Sequence, residues 1–484
     1  MMDIILTENG LDFNSLERNF FKAGCELACE AFGALMEGLD ERLAGERDRK
    51  KYRHKGVRGT TIKTLMGEVN FSRAVYEYVT DEGRKAFVFL LDEYLGVDRI
   101  GAISSNLAEK IVENASVTSF RNTSKNVTEM TGQSISHAGA WKVVQGLGVK
   151  LGQEEERLIN AKERNLLAPE KEAKVLFEEA DGVYINIQGK DRPKSGGKLE
   201  MKAAVMYEGW KEVSKGQYEL VNKTACIGFE DAAAFRRKKE AILSAEYNLD
   251  ETDYHILNGD GAAWIKNAAD DDVIYQLDPF HKHQAIIRNV EDKTHRASIL
   301  SLLGENKIEE ALTAIDALAN SAQDEKQEKK LRRLYSYFKE NKACLTPYQQ
   351  RGIQLPPSPE GITYRNLGTM EHHICDIIAQ RMKHRKASWS VEGSTNLGRL
   401  LALKVCKKLH ETVEKLSKTV LPTIQTYAII EELSAAKVPQ KAGKGCDGNI
   451  RKGHVPFADC AVTGGRKAIK RLFDLKDFYD LVYR

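Results

Sequence analysis

The sequence contains no apolar run that approaches the roughly 20 residues of a membrane-spanning helix, so we expect no membrane span. Its N-terminus has no basic segment before the first short apolar stretch, so we expect no secretory signal. The eight cysteines are scattered without a C-x-x-C pair, which is typical of free thiols in a reducing, cytoplasmic setting. The sequence also lacks a P-loop, a dinucleotide fingerprint, a serine nucleophile elbow and a protein-kinase motif set. These absences argue against the corresponding enzyme classes.

The composition is that of a folded protein with more than one domain. The chain has 484 residues, of which 42% are hydrophobic and 30% charged. This length is enough for two to four domains, each with a sizeable core. The net charge of +3 says little about partners, whereas the clustering of the charge says more.

The N-terminal part combines a helix, a basic run and a hairpin. Apolar spacing predicts a long amphipathic helix over residues 13–45. Residues 47–58 then carry seven Lys and Arg, among them Arg53 and Lys55, and form either a solvated linker or an arm that contacts phosphates. The following β-branched and aromatic residues predict a β-hairpin that turns near Gly67.

Residues 119–148 form a candidate helix-turn-helix. A first helix over residues 119–132 would end at Gly132, and a second over residues 134–148 would begin with Ser134 or Ser136 as N-cap. The alternative is an ordinary helical hairpin, because this motif is weak in sequence. In the DNA-reading interpretation, the groove-facing residues are Ser136, His137 and Lys142, and the inward-facing ones are Ile135, Ala138 and Val143.

From residue 174 the period changes to that of a sheet. Three strand-like runs, a helix over residues 229–248, a strand, a short helix and a fifth strand predict a mixed α/β sheet. After PFHKHQAIIRNV the pattern is purely helical as far as the Pro-rich stretch at residues 355–359. A helix over residues 368–386 follows, with further helices to about residue 435.

Three acidic residues have distinctive settings. Asp181 lies within a strand-like run, and Asp260 ends the fourth strand, where ligands of α/β sheets gather. Glu371 opens a helix that soon becomes basic, with Arg381, Lys383 and Arg385. Taken singly, Asp260 could be a solvated turn residue and Glu371 a complement to the helix dipole.

Together these carboxylates suit divalent-metal chemistry on a phosphodiester. Mg²⁺ or Mn²⁺ takes oxygen ligands, and two such ions can clamp the attacking and leaving oxygens of an in-line displacement. Carboxylates packed this densely repel one another, so we expect metal to stabilise the site.

Other metal signals are weaker. Asp278, His281 and His283 could suggest zinc, but no Cys or further His stands at ligand spacing. We interpret His281 as a helix-start residue near the active site. Cys446, His454 and Cys460 have irregular spacing in a basic tail and predict no site.

Four motifs occur in the order and spacing of a known family: DGVYINIQ, NGDGAAWIK, LDPFHKH and GTMEHHICDIIAQRMKHRKASWS. They resemble the ISLre group of bacterial insertion-sequence transposases, which are related to mutator-type elements. The resemblance implies an RNase H-like core with a DDE triad at Asp181, Asp260 and Glu371, interrupted by a helical insertion. Glu392 is a rival for the third position. The Cys–His pair of mutator-type relatives has no Cys here, where Asp278 and His281 occupy that region.

The resemblance and the patterns together predict a multidomain α/β organisation. Its parts are an N-terminal helix (1–46), a basic arm and β-hairpin (47–85), a helical DNA-binding region with the helix-turn-helix (86–170), the first part of the RNase H-like core (171–282), a helical insertion (283–366), the second part of the core (367–435) and a basic tail (436–484).

The function we expect is a DNA transposase, cytoplasmic and associated with the nucleoid when bound to DNA. It would cleave strands at element ends and join them to target DNA with Mg²⁺ or Mn²⁺, as two ions held by the triad. Its partners would be terminal inverted repeats, target DNA and a second copy in a homodimer or higher oligomer. Alternatives are an inactive or repurposed DNA-binding protein, a stand-alone metal-dependent nuclease and, more distantly, a structural helical protein.

Overall fold

The computed structural model describes residues 12–95, 103–169, 171–267, 273–384 and 387–418. Its helices are α1 (Phe13–Glu46), α2 (Leu90–Tyr94), α3 (Ser105–Val117), α4 (Phe120–Thr131), α5 (His137–Glu163), α6 (Ala232–Glu246), α7 (Ala263–Lys266), α8 (Pro279–Asn289), α9 (Lys293–Gly304), α10 (Ile308–Asn320), α11 (Glu325–Glu340), α12 (Met370–Ile374), which continues as a π-helix (Cys375–Lys383), α13 (Val391–Val405) and α14 (Leu409–Lys418). Its strands are β1 (Arg53–Lys63), β2 (Glu68–Val79), β3 (Lys85–Val88), β4 (Val175–Ile187), β5 (Lys198–Tyr207), β6 (Gly209–Ser214), β7 (Gln217–Val221), β8 (Thr224–Gly228), β9 (Tyr254–Gly259), β10 (Val273–Leu277) and β11 (Ser388–Trp389).

The described chain divides into a small and a large compact unit. The small unit contains residues 48–57 and 74–88, and the large unit contains the other described residues. In the small unit, β2 pairs antiparallel with β3, from Tyr76 opposite Val88 to Val79 opposite Lys85. The sequence did not predict strand β3. In the large unit, the C-terminal half of α1 packs against the strand residues Val69 and Phe71. The strands on either side of Gly67, β1 and β2, are neighbours in one sheet, so the predicted N-terminal helix and the predicted hairpin are both present.

Three helices, α3, α4 and α5, form the region predicted to hold the helix-turn-helix. Gly132 ends α4 in the left-handed conformation, with φ of 66°, and Ser136 caps α5 by accepting a hydrogen bond from the Gly139 N–H. Both features match the sequence prediction. However, α5 continues to Glu163 and does not end at residue 148, because Gly146 and Gly148 are accommodated within the helix.

The central sheet is mixed, as predicted, with the strand order β10-β9-β4-β5-β8 and the short β11 beside the end of β4. Strands β4, β5 and β8 are antiparallel neighbours, whereas β9 and β10 run parallel to β4. The predicted third strand is in fact two strands, since Asn222 adopts a left-handed φ of 51° between β7 and β8. Strand β7 pairs with β6 outside the central sheet.

The two faces of the central sheet bury different sets of side chains. On β4, Phe177, Val183 and Ile185 belong to a core formed with α13 and the π-helix, whereas Leu176 and Ala180 belong to a core formed with α6 and α7. Alternation along the strand produces this division, because successive side chains point to opposite faces. A sheet covered on both faces explains the nearly continuous apolar character of β4.

Helices α8 to α11 form a helical cluster with its own core, which includes Ile286, Ile315, Leu334 and Phe338. In sequence this cluster separates Asp260 from Glu371, as predicted for the insertion. The seven-part division itself remains a prediction. Among the helices in the described part of the chain, none is both long and apolar enough to span a membrane.

Candidate metal centre

The register of the sheet brings Asp181 and Asp260 together. In the parallel pairing of β4 with β9, Ala180 lies opposite Gly259. The residue that follows each of these two in the sequence is an aspartate, Asp181 or Asp260. Asp181 lies within β4 and is 7% exposed, whereas Asp260 follows the last residue of β9 and is half-buried. Strand β9 therefore ends beside Asp181, while β4 continues to Ile187, and ligands of α/β proteins bind beyond such strand ends.

The turn after β9 fixes Asp260. Gly261 has a φ of 95°, a conformation that L side chains rarely adopt, and the Asp260 Oδ1 accepts a hydrogen bond of 2.8 Å from the Ala262 N–H. The Tyr337 hydroxyl donates to the Asp260 carbonyl oxygen at 2.7 Å. Burial raises the pKa of Asp260, and the negative charge of Asp181 raises it further. Asp260 therefore lies close enough to Asp181 to interact with it electrostatically.

His281 is the residue of this centre that sequence reasoning undervalued. Asp278 caps α8 by accepting from the N–H groups of Phe280 and His281, and this cap places the His281 ring beside β4. The His281 Nε2 lies 3.4 Å from the Asp181 Oδ2. Burial lowers the pKa of His281, but the hydrogen bond and charge of Asp181 outweigh burial and raise it. In the sequence, the D-x-x-H spacing of Asp278 and His281 across a helix start was the signal that could have indicated this placement of His281.

Glu371 completes a compact cluster. It is exposed in the first turn of α12, and one potential ligand atom each from Asp181, His281 and Glu371 lies within 4.8 Å of the others. The tight cluster thus contains two of the three predicted acidic residues plus a histidine, with Asp260 adjacent. Carboxylate oxygens and an imidazole nitrogen can together hold a divalent cation. The carboxylates suit Mg²⁺ and Mn²⁺, and the imidazole favours a transition-metal ion such as Mn²⁺ over Mg²⁺.

A fully buried carboxylate lies beneath this cluster. Glu179 shares its face of β4 with Asp181, and its oxygens accept hydrogen bonds from Tyr207, Asn258 and the start of α12. Burial raises the pKa of Glu179, while the hydrogen bonds from Thr369 and Tyr207 lower it. No role for Glu179 was predicted from the sequence.

The rival residue Glu392 lies elsewhere in the large unit. It occupies the first turn of α13, where it is exposed and lines a surface depression with Gln153 and Asn396. The structure therefore groups Glu371, and not Glu392, with Asp181 and His281. Cys446, His454 and Cys460 lie outside the described residues.

The predicted helix-turn-helix residues are mostly at the surface. Ser136, His137 and Lys142 are exposed at the start of α5, and the Ser136 hydroxyl is engaged in the helix cap. Ile135 is buried and Val143 is partly buried, as expected. The inward placement of Ala138 was wrong, since Ala138 is exposed two residues after the cap. DNA contact by this surface stays a prediction.

The three basic residues predicted to contact phosphates after Glu371 have different positions in the structure. Arg381 was expected to contact phosphates, and this prediction is wrong: it is 4% exposed, its Nε donates to the Ala115 carbonyl oxygen at 2.7 Å, and its guanidinium lies 4.9 Å from the Trp389 ring centroid. Residues two apart on a helix point in nearly opposite directions, so Lys383 is exposed while Arg381 is not. Arg385 lies outside the described residues.

In the small unit, the two predicted arm residues also differ. Arg53 is exposed on β1, whereas Lys55 is half-buried, with its Nζ 3.0 Å from the Glu77 Oε2. The hydrogen bond from Lys55 lowers the pKa of Glu77. The predicted arm is therefore a strand from Arg53 onward, and only part of its charge is free to meet a polyanion.

Fold and site together define a mixed α/β protein with a carboxylate-and-histidine cluster at one edge of its sheet. The chain belongs to UPF0236, an uncharacterised protein family whose model matches residues 6–418.

Two relatives illustrate the extent of the similarity. The "UPF0236 protein in vanSb 3'region" of Streptococcus gallolyticus is 24% identical over 397 residues, which are 79% of this chain and 81% of the relative. A UPF0236 protein of Caldanaerobacter subterraneus subsp. tengcongensis is 23% identical over 409 residues, covering 83% of this chain and 80% of the relative. The name of the second relative joins eleven locus designations.

Among solved structures, a chain in "Crystal structure of a pre-cleavage Mos1 transpososome" is similar over 52% of this chain and 81% of that chain, with 9% sequence identity. The TM-score of 0.13 is too low for this likeness to support an argument about fold or function.

Proposed function

We propose that this protein is a metal-dependent DNA transposase of the DDE type, in the ISLre group. The observation that carries the proposal is the convergence of Asp181 and Glu371 with His281, next to Asp260, from segments that are far apart in sequence. Glu371 is exposed, so a polymeric substrate can reach this member of the cluster, while Asp181 beside it is 7% exposed.

The sheet supports this proposal. The strands β4, β5 and β8 are antiparallel neighbours, and β9 and β10 lie on the other side of β4 and run parallel to it. This is the arrangement expected of an RNase H-like core. The first aspartate lies on the central strand, the second follows the adjacent parallel strand, and the glutamate lies on a helix that packs against the sheet.

The relatives lend separate support. One relative's name covers eleven loci of a single genome, which is the distribution that a self-copying mobile element leaves. A structural or regulatory protein has no evident reason to recur in this way.

The residues have distinct roles in this proposal. Asp181 and Glu371 would hold a divalent cation, Asp260 would add a third carboxylate, and His281 would orient Asp181 or bind the cation directly. A bound cation supplies Lewis-acid stabilisation of charge on phosphate oxygens. Lys142 and Lys383 are exposed cations that would contact the DNA backbone.

The test uses the purified full chain and a labelled DNA that spans the gene and its natural flanks. With Mn²⁺ or Mg²⁺ we expect strand cleavage near the element ends and joining of the freed 3′ ends to a second DNA. Asp181→Asn and Glu371→Gln should abolish both reactions, while Glu392→Gln should retain them. Binding without cleavage would favour a repurposed DNA-binding protein, and cleavage without joining would favour a nuclease.

A further inference from the structure

We propose that Glu179 is a positioning residue, which fixes the helix bearing Glu371 and so sets the spacing of the metal ligands. This inference rests on the proposed function of the same site. Glu179 is 0% exposed and lies two residues before Asp181 on the same face of β4.

The contacts of Glu179 explain how it would act. The N–H groups of Gly368, Thr369 and Met370 donate to its carboxylate at 2.9, 2.9 and 3.2 Å, and the Thr369 hydroxyl donates at 2.6 Å. The first N–H groups of a helix have no partner within the helix, and a carboxylate also complements the positive end of its dipole. Glu179 therefore attaches the start of α12 to β4, one residue before Glu371.

The same carboxylate is connected to the helix that carries His281. The Asn258 Nδ2 donates to the Glu179 Oε2 at 3.1 Å and to the Asp278 Oδ2 at 2.5 Å. Asp278 in turn caps α8 through the N–H groups of Phe280 and His281. One buried network thus contacts the starts of both helices whose side chains meet Asp181.

The neighbouring Glu178 provides a matched control. It is equally buried, but on the opposite face of β4, where the Lys239 Nζ lies 2.7 Å and the His255 Nε2 2.9 Å from its oxygens. Its partners belong to α6 and β9. Within the described part of the chain, Glu178 makes no hydrogen bond to the start of α12. Loss of either glutamate removes one buried charge, whereas only loss of Glu179 should disturb the metal site.

The experiment compares wild type, Glu179→Gln and Glu178→Gln as full-length proteins. Mn²⁺ binding is measured by isothermal titration calorimetry, thermal unfolding by circular dichroism, and DNA cleavage as a function of Mn²⁺ concentration. We expect Glu179→Gln to bind Mn²⁺ about 10- to 100-fold more weakly, the range typical for partners that orient metal ligands. Its cleavage should need correspondingly more Mn²⁺, while Glu178→Gln binds Mn²⁺ as wild type does.

The outcomes separate this inference from the proposed function. If wild type binds Mn²⁺ and cleaves DNA but folded Glu179→Gln has the same Mn²⁺ affinity, the inference is overturned and the proposed function stands. If wild type neither binds Mn²⁺ nor cleaves, the proposed function itself fails.

If Glu179→Gln does not fold, a milder pair decides the question. Thr369→Val removes one hydroxyl donor to Glu179, and Thr369→Ser retains it. Weaker Mn²⁺ binding by the valine variant, with wild-type binding by the serine variant, supports the inference. Equal affinities overturn it.

Discussion

Asp181→Asn should abolish the stabilisation that metal gives to the protein, without destabilising the metal-free protein. In the metal-free protein, the Asp181 and Glu371 carboxylates offer ligand atoms within 4.8 Å of each other. Two like charges at that distance repel by about 1 kcal/mol at the dielectric constant of water and by about 3 kcal/mol at an effective value of 20. Because Glu371 is exposed, the lower figure applies. Neutralising Asp181 should therefore leave the metal-free protein unchanged or stabilise it by up to about 1 kcal/mol.

Bound metal reverses this difference. A ligand present at 100 times its Kd stabilises the folded state by about 2.7 kcal/mol, provided that it does not bind the unfolded chain. Wild type should gain this amount with Mn²⁺, whereas Asp181→Asn loses a central ligand and should gain almost nothing. Asp181 raises the pKa of His281 against the opposing effect of burial, so the comparison is made at alkaline pH, where the attraction between the imidazole and Asp181 is weaker.

The assay is urea unfolding of each variant at pH 8.5, once with EDTA and once with Mn²⁺. Glu392→Gln is the control, since it removes an exposed first-turn glutamate outside the cluster and should respond to Mn²⁺ as wild type does. An equal Mn²⁺ stabilisation of wild type and Asp181→Asn would refute the assignment of Asp181 as a metal ligand.

Three further predictions concern other charged residues. Lys239 and His255 offset burial and lower the pKa of Glu178 to about 2, so Glu178 stabilises the fold above pH 4.5. We expect on the order of 3 kcal/mol to be lost between pH 4.5 and 2, and Glu178→Gln to flatten this dependence in acid unfolding. Arg381→Met should lower unfolding free energy by about 1–3 kcal/mol, because the Ala115 carbonyl loses its donor, while DNA affinity measured by fluorescence anisotropy stays the same. Lys383→Ala should instead weaken DNA binding and reduce the salt slope by about one, without loss of stability.

The sequence predicted those elements whose signals are local. Gly132 and Ser136 ended and began helices as expected, because a left-handed C-terminal glycine and a serine N-cap act within one turn. The strands that carry Asp181 and precede Asp260 were also predicted, because an apolar run bounded by turn residues is a local signal for a buried strand.

Elements that depend on tertiary contacts were predicted less well. The left-handed Asn222 splits one apolar run into two strands that belong to different sheets, and no periodic pattern reveals this. The π-helix after Ile374 was predicted as an ordinary helix, because π-helical windings have no sequence signal of their own. The basic run was interpreted as one exposed surface, although its helical geometry turns Arg381 into the core.

The two residues that sequence analysis undervalued, His281 and Glu179, owe their importance to chain segments that meet only in the folded protein. Glu179 is separated by 190 residues from Thr369, which donates to it. A carboxylate inside an apolar strand is costly unless donors surround it, so its presence beside Asp181 already implied a polar partner from elsewhere in the chain. Buried acidic residues within otherwise apolar strands are therefore worth treating as structural parts of a site, even where only a neighbouring residue can touch the substrate.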